Sequence, residues 1–172
     1  MIEAGQPASS FSAQADDGRT VTLESLRGRY IVLYFYPKDD TPGCTTEACE
    51  LRDAFPRFDA ANATILGVSP DSVASHVKFK KKFSLPFTLL ADPDHTIAEA
   101  YGVWKEKTMY GRTYMGVERS TFLIDPTGTL AHVWRKVKAD GHAAEVETVL
   151  SAAVGLPAPP KRASKKRAAK SN

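Results

Sequence analysis

The longest unbroken apolar stretch of the chain is Tyr30-Ile31-Val32-Leu33-Tyr34-Phe35-Tyr36, rich in β-branched and aromatic residues. A run of that length without alternation predicts a central strand buried on both faces. Pro37 stops it, and Asp40-Thr41-Pro42-Gly43 reads as a turn. A helix is predicted from about residue 43 to 54, broken at Pro56, which has no amide hydrogen to continue the helical ladder. Residues 64–69 and 87–91 predict two further strands. Between them, residues 72–83 form an amphipathic helix with Lys80, Lys81 and Lys82 on its outer face. A short helix over about 95–101 follows. Then strands over 120–124 and 130–135 flank the turn Asp125-Pro126-Thr127-Gly128, and a last helix covers about 141–153. Near the start, residues 11–14 and 21–23 flank Asp16-Asp17-Gly18 as a small hairpin.

The order is hairpin, three alternating strand–helix units, two strands and a helix. Alternation implies parallel strands joined by crossover helices, and the close final pair implies an antiparallel edge. The expected fold is α/β, a mixed central sheet with helices on both faces and an N-terminal β-hairpin. With 172 residues, 42% hydrophobic and 25% charged, the chain can bury one core without disulfide or metal staples. No stretch approaches the roughly 20 apolar residues of a membrane span. Met1-Ile2-Glu3-Ala4-Gly5 has neither the basic nor the apolar region of a signal peptide, so a cytoplasmic protein with reduced cysteines is expected.

The net charge of +3 conceals an asymmetry. Lys161, Arg162, Lys165, Lys166, Arg167 and Lys170 form a run without an acidic residue, and the remaining 17 basic residues face 20 acidic ones. Gly155-Leu156-Pro157-Ala158-Pro159-Pro160 precedes this run as a stiff linker. One domain over residues 1–156 is therefore expected, with a Pro-rich linker and a disordered basic tail over 157–172. The tail reads as a solvated extension. Its charges would also serve weak, salt-sensitive contact with nucleic acid through residues 161–172.

Chemistry concentrates in Tyr36-Pro37-Lys38-Asp39-Asp40-Thr41-Pro42-Gly43-Cys44-Thr45-Thr46-Glu47-Ala48-Cys49. Cys44 falls where a loop hands over to a helix, and there free amides and the helix dipole stabilise a thiolate, the nucleophilic form of cysteine. Glu47 opposes this, so a cation is required nearby. Five residues along a helix give a rotation of roughly 140° and separate the two Cα atoms by roughly 8.6 Å. A disulfide requires less than about 7 Å. Cys44 and Cys49 therefore bond only if the first turns unwind. Spacing alone leaves a catalytic pair and two inert buried thiols equally open. Two cysteines are too few for zinc, and His76, His95, His132 and His142 lack ligand spacing. Glu47 reads first as a residue favouring the helix N-terminus, and second as a partner of Arg119. Trp104, Trp134 and Phe122 read as core or pocket wall.

At these residues the chain resembles the peroxiredoxin family, in its peroxiredoxin Q or bacterioferritin-comigratory-protein group. The family pattern PxxxTxxC falls on Pro37, Thr41 and Cys44, and the longer YPKDxTPGCTxEAC on Tyr36 through Cys49. The likeness continues through Phe87-Thr88-Leu89-Leu90-Ala91-Asp92 and Arg119-Ser120-Thr121-Phe122-Leu123-Ile124-Asp125 to about Val154. It implies a thioredoxin-like fold and a thiol peroxidase acting on hydrogen peroxide and organic hydroperoxides. Cys44 would be the attacking thiolate and Cys49 the resolving one. Arg119 and Thr41 would contact thiolate and substrate, Pro37 would shield Cys44 from water, and the Gly43 and Cys44 amides would help hold the peroxide. It further implies thioredoxin or a similar dithiol as reductant, with no cofactor and no metal. No residue pattern marks an obligate dimer, so a monomer is expected. Two other readings are a thioredoxin-like disulfide oxidoreductase acting as a redox relay, and a nucleic-acid-associated protein acting through the tail.

Overall fold

The computed structural model describes residues 2–155. The linker and basic tail expected over 157–172, and the nucleic-acid contact expected of the tail, lie outside the described residues. Nine strands and four α-helices are found among them: β1 (Ser12–Ala15), β2 (Thr20–Thr22), β3 (Tyr30–Phe35), α1 (Pro42–Ala60), β4 (Ala63–Ser69), α2 (Val73–Phe83), β5 (Thr88–Ala91), α3 (Thr96–Ala100), β6 (Trp104–Met109), β7 (Arg112–Val117), β8 (Ser120–Ile124), β9 (Leu130–Trp134) and α4 (His142–Val154). The main sheet has the order β2-β1-β5-β4-β3-β8-β9. Strands β3, β4 and β5 run parallel, whereas β1 against β5 and β8 against β3 run antiparallel. This is the mixed sheet expected.

The continuous apolar run explains why β3 is central. Ile31, Leu33 and Phe35 enter the core on one face, with α3, Tyr101 and Val103. Val32, Tyr34 and Tyr36 enter the other, against α1, α2 and α4. Alternate side chains of a strand point to opposite faces, so an all-apolar strand needs cover on both. Phe122 is fully buried, while Trp104 and Trp134 are partly buried against one core each. No helix among the described residues is long and apolar enough to cross a membrane.

Two elements depart from the expectation. Helix α1 does not break at Pro56 but runs through it to Ala60. A proline inside a helix costs about 3 kcal/mol. Beyond Pro56, however, Phe58 is fully buried and Arg57 makes a two-pronged contact with Glu147 of α4. Burying one large apolar side chain contributes about 1.5–3 kcal/mol, enough with the ion pair to offset the lost bond. The second departure is the β6–β7 hairpin, which no expectation covered. Its residues are mostly charged or exposed, so no hydrophobic period marks them. Its two-residue turn, Tyr110-Gly111, has positive φ at both positions (54° and 74°), the geometry that matches strand twist in tight hairpins.

Candidate active site

Register brings the chemistry together. Ser120 of β8 lies opposite Phe35 of β3. Arg119 precedes Ser120, so it comes level with the point where β3 ends and the chain turns towards α1. The Arg119 backbone is held there by the Val137 amide, which donates to its carbonyl at 2.9 Å. The β6–β7 hairpin returns the chain to that edge, with the Glu118 amide donating to the Val103 carbonyl at 2.8 Å.

On the helix side, Thr41 is the N-cap residue of α1 and Pro42 the first helical residue. Thr45 donates to the Thr41 carbonyl at 2.8 Å. The Gly43 and Cys44 amides, in the first turn, have no partner within the helix. Cys44 is buried, 1% exposed. Arg119 Nη2 donates to its sulfur at 3.3 Å, and Nη1 donates to Glu47 Oε1 at 2.7 Å. The cation beside the Cys44 sulfur is therefore Arg119. A Cβ built on Gly43 would lie 3.1 Å from Arg119 Nη2, so the absence of a side chain there lets the guanidinium reach the sulfur.

Glu47 corrects an expectation. It does not simply favour the helix end but pairs with Arg119, and its second oxygen, Oε2, is buried without a hydrogen-bond partner among the described residues. Burial pushes its carboxyl up to about 7, with the Arg119 charge pulling the other way. A helix-terminal glutamate is ordinarily solvated. This one points inwards, one turn on from Cys44.

The Thr41 hydroxyl donates to the Lys38 carbonyl at 2.9 Å, closing the loop on itself. Pro37 is half-buried directly after β3. Cys49 is half-buried, and both cysteines are free thiols on the intact helix. Burial pushes the Cys49 thiol up, with Arg52 pulling the other way.

Sequence reasoning missed two further groups. Lys107 of β6 is half-buried, and burial together with the Arg119 charge holds its ammonium below the ordinary lysine value, with Cys44 among the charges opposing that. Tyr34 buries its hydroxyl without a hydrogen-bond partner among the described residues, its ring lying where a Cβ on Gly67 would be 2.9 Å away. No hydrophobic period marks β6, so the sequence carried no signal for the first. For Tyr34 there was none, since its residue type is ordinary in a buried strand.

Among the described residues, one group of three ligand-type side chains lies close enough to share an ion: Asp39, Asp71 and His76, with donor atoms within 4.8 Å of one another. Asp39 Oδ1 already accepts from Tyr36 Oη at 2.6 Å, and Asp39 Oδ2 from Ser75 Oγ at 2.8 Å. Asp71 Oδ2 accepts from Ser69 Oγ and the Asp39 amide. His76 faces Asp39 Oδ2 at 2.7 Å and the Leu90 carbonyl at 2.9 Å. The cluster is a closed hydrogen-bond network rather than an open metal cage.

With the geometry in hand, comparison places the chain among known proteins. The AhpC/TSA family pattern matches residues 4–133. The chain is 57% identical over 144 residues to peroxiredoxin Bcp of Bacillus subtilis, covering 84% of this chain and 92% of the relative. It is 43% identical over 141 residues to peroxiredoxin Bcp of Escherichia coli K12, covering 82% and 90% respectively. Among solved structures, it superposes on the bacterioferritin comigratory protein of Xanthomonas campestris with a TM-score of 0.80 at 46% identity, covering 84% of this chain and 92% of that one. That protein is described for its alkyl peroxide reduction activity.

Proposed function

This chain belongs to the AhpC/TSA family, as a thiol peroxidase of the peroxiredoxin type, and we propose that Cys44 is its peroxide-attacking thiolate and Cys49 the residue that resolves the product. The observation that carries the assignment is the Arg119 contact with the Cys44 sulfur at 3.3 Å. A fixed guanidinium stays charged and donates in set directions, so it favours the thiolate and presents a second edge to the substrate. The Gly43 and Cys44 amides add dipoles at the same spot.

In the first step the Cys44 thiolate attacks one oxygen of a hydroperoxide. An S–O bond forms, the O–O bond breaks, and the leaving oxygen departs with a proton as water or an alcohol. The sulfur is left as a sulfenic acid. Cys49 then attacks that sulfur: the S–S bond forms, the S–O bond breaks, and hydroxide leaves as water. Both residues sit on one intact helix, which supports a resolution step that waits for unwinding. Burial keeps Cys49 a thiol until then, and release into solvent lets it ionise more readily. Because the pair lies within one chain, a monomer completes the cycle.

The substrate class we assign is hydrogen peroxide and organic hydroperoxides, and the reductant a thioredoxin-like dithiol, which opens the disulfide by exchange. Such a cycle suits the reducing cytoplasm. Pro37 is assigned a shielding role beside the reacting sulfur. Thr41 is assigned to the substrate side, where its hydroxyl oxygen can accept from the peroxide while its proton is held by Lys38. The test is thioredoxin-dependent peroxide consumption by the wild type and Cys44→Ser. Loss of turnover in the variant is expected, and retained turnover would overturn the assignment.

A further inference from the structure

The cycle proposed above requires α1 to open, and the inference drawn here rests on that reading. How far the helix opens is a separate question, and the side chains along it are distributed unevenly. Of the residues from Pro42 to Cys49, only Cys44, Glu47 and Ala48 are buried, two small side chains and one carboxyl. From Leu51 on, the helix buries Leu51, Ala54 and Phe58. It is also tied down by Arg52, which donates to the Phe83 carbonyl at 2.8 Å, and by Arg57 on Glu147. Unwinding the first two turns exposes little apolar surface, and unwinding the next exposes much.

Two buried carboxylates stand at the borders of that weak stretch. Before it, Asp39 is 7% exposed and takes hydrogen bonds from Tyr36, Ser75 and His76, while its own amide donates to Asp71 at 2.7 Å. Both His76 ring nitrogens face oxygen acceptors, Asp39 on one side and the Leu90 carbonyl on the other, and so bind the loop to α2 and β5. After it, Glu50 is 6% exposed, and its two oxygens lie 3.0 and 3.2 Å from the Gly141 amide at the N-cap of α4. Between these points the ties to the rest of the protein are few. Arg119 holds Cys44 and Glu47, and Asp40 meets Lys82 at the surface. Conversion of the thiolate to a neutral sulfenic acid removes one of the two anions that Arg119 holds.

We propose that Asp39 and Glu50 are positioning residues for the resolving step: they are the fixed ends of the segment that unwinds, residues 40–49, and they stop the opening immediately past Cys49. A segment that stops there frees both sulfurs to meet. One that ran further would lengthen the mobile chain and dilute the encounter between them.

The experiment is amide hydrogen exchange read by mass spectrometry on the full-length protein. It compares the reduced form with the form oxidised by one equivalent of hydrogen peroxide, whose Cys44–Cys49 bond is verified by peptide mapping. In the wild type, faster exchange on oxidation is expected within residues 40–49, with residues 51–60 and 73–83 keeping their protection. In Glu50→Gln the faster exchange should spread beyond residue 50 in the disulfide form while the reduced form keeps the wild-type pattern. In Asp39→Asn it should spread towards residue 36 in the same redox-dependent way. A wild-type opening that runs through Leu51, or a variant boundary identical to that of the wild type or equally shifted in the reduced form, overturns the inference while leaving the peroxidase assignment standing. Absence of the Cys44–Cys49 bond in oxidised wild type overturns the inference together with the resolving role of Cys49. A wild-type opening that runs through Leu51 overturns the inference even if a variant fails to fold.

Discussion

Arg119 lies 3.3 Å from the sulfur of Cys44 and holds Glu47 with its other terminal nitrogen, so one guanidinium serves a buried sulfur and a buried carboxylate together. The arrangement combines opposing demands. The guanidinium sets a positive charge against the sulfur, and the carboxylate orients that cation while drawing on part of its charge.

Replacing Arg119 by Lys keeps the charge and loses the two-pronged geometry. Oxidation of Cys44 by hydrogen peroxide should slow by about 10²–10³, the range seen when one preorganised donor is removed from a reacting oxyanion. Because Glu47 would be left less well paired in the core, the melting temperature should also fall. The rate is read by stopped-flow and the stability by thermal unfolding.

Glu47→Gln isolates the buried carboxyl. Its value in the folded protein, about 7, lies above the ordinary 4.5. The folded state thus holds a proton that the unfolded chain releases over that interval. Its contribution to stability is fully present below pH 4.5 and is lost as pH rises through about 7, a change on the order of 3 kcal/mol. Denaturant unfolding at pH 5 and pH 8 should show this fall in the wild type, and a smaller one in Glu47→Gln.

Gly43→Ala tests the close approach. The added methyl would meet Arg119 Nη2 at 3.1 Å and push the guanidinium off the sulfur by a few tenths of an ångström. Peroxide oxidation should slow by about tenfold. Stability should stay within about 1 kcal/mol of wild type, since alanine is the better helix former. Equal rates in the two proteins would show that the contact tolerates displacement.

Cys49→Ser separates the two chemical steps. The variant should complete one oxidation at the wild-type rate and stop as a sulfenic acid, which a dimedone adduct detects by mass. A disulfide found in this variant must join two chains, and would replace intramolecular resolution with an intermolecular one.

Much of this was legible from residues alone, for reasons that differ by element. The Tyr30–Tyr36 run identifies β3 as central because an unbroken apolar strand has no solvent-facing side. The turn residues before Cys44 mark a helix start because the first helical amides need no partners from Pro42. Pro56 misled, because the burial of Phe58 and the Arg57 contact with Glu147 come from tertiary packing that local propensity does not see. The β6–β7 hairpin escaped because Lys105, Glu106, Lys107 and Thr108 alternate without a hydrophobic face. The pairing of Glu47 with Arg119 spans 72 residues and depends on β8 lying beside β3, so only the assembled sheet discloses it. The same holds for Asp39 and His76, separated by 37 residues.

Whether Cys44 is a peroxide-reactive thiolate is decided by mixing reduced protein with increasing hydrogen peroxide in a stopped-flow instrument while following tryptophan fluorescence. Trp104 and Trp134 are both partly buried against the cores that flank the site. A fast phase whose rate rises linearly with peroxide and disappears in Cys44→Ser is expected. A fast phase that persists in Cys44→Ser, or none in the wild type with hydrogen peroxide or an alkyl hydroperoxide, would contradict it.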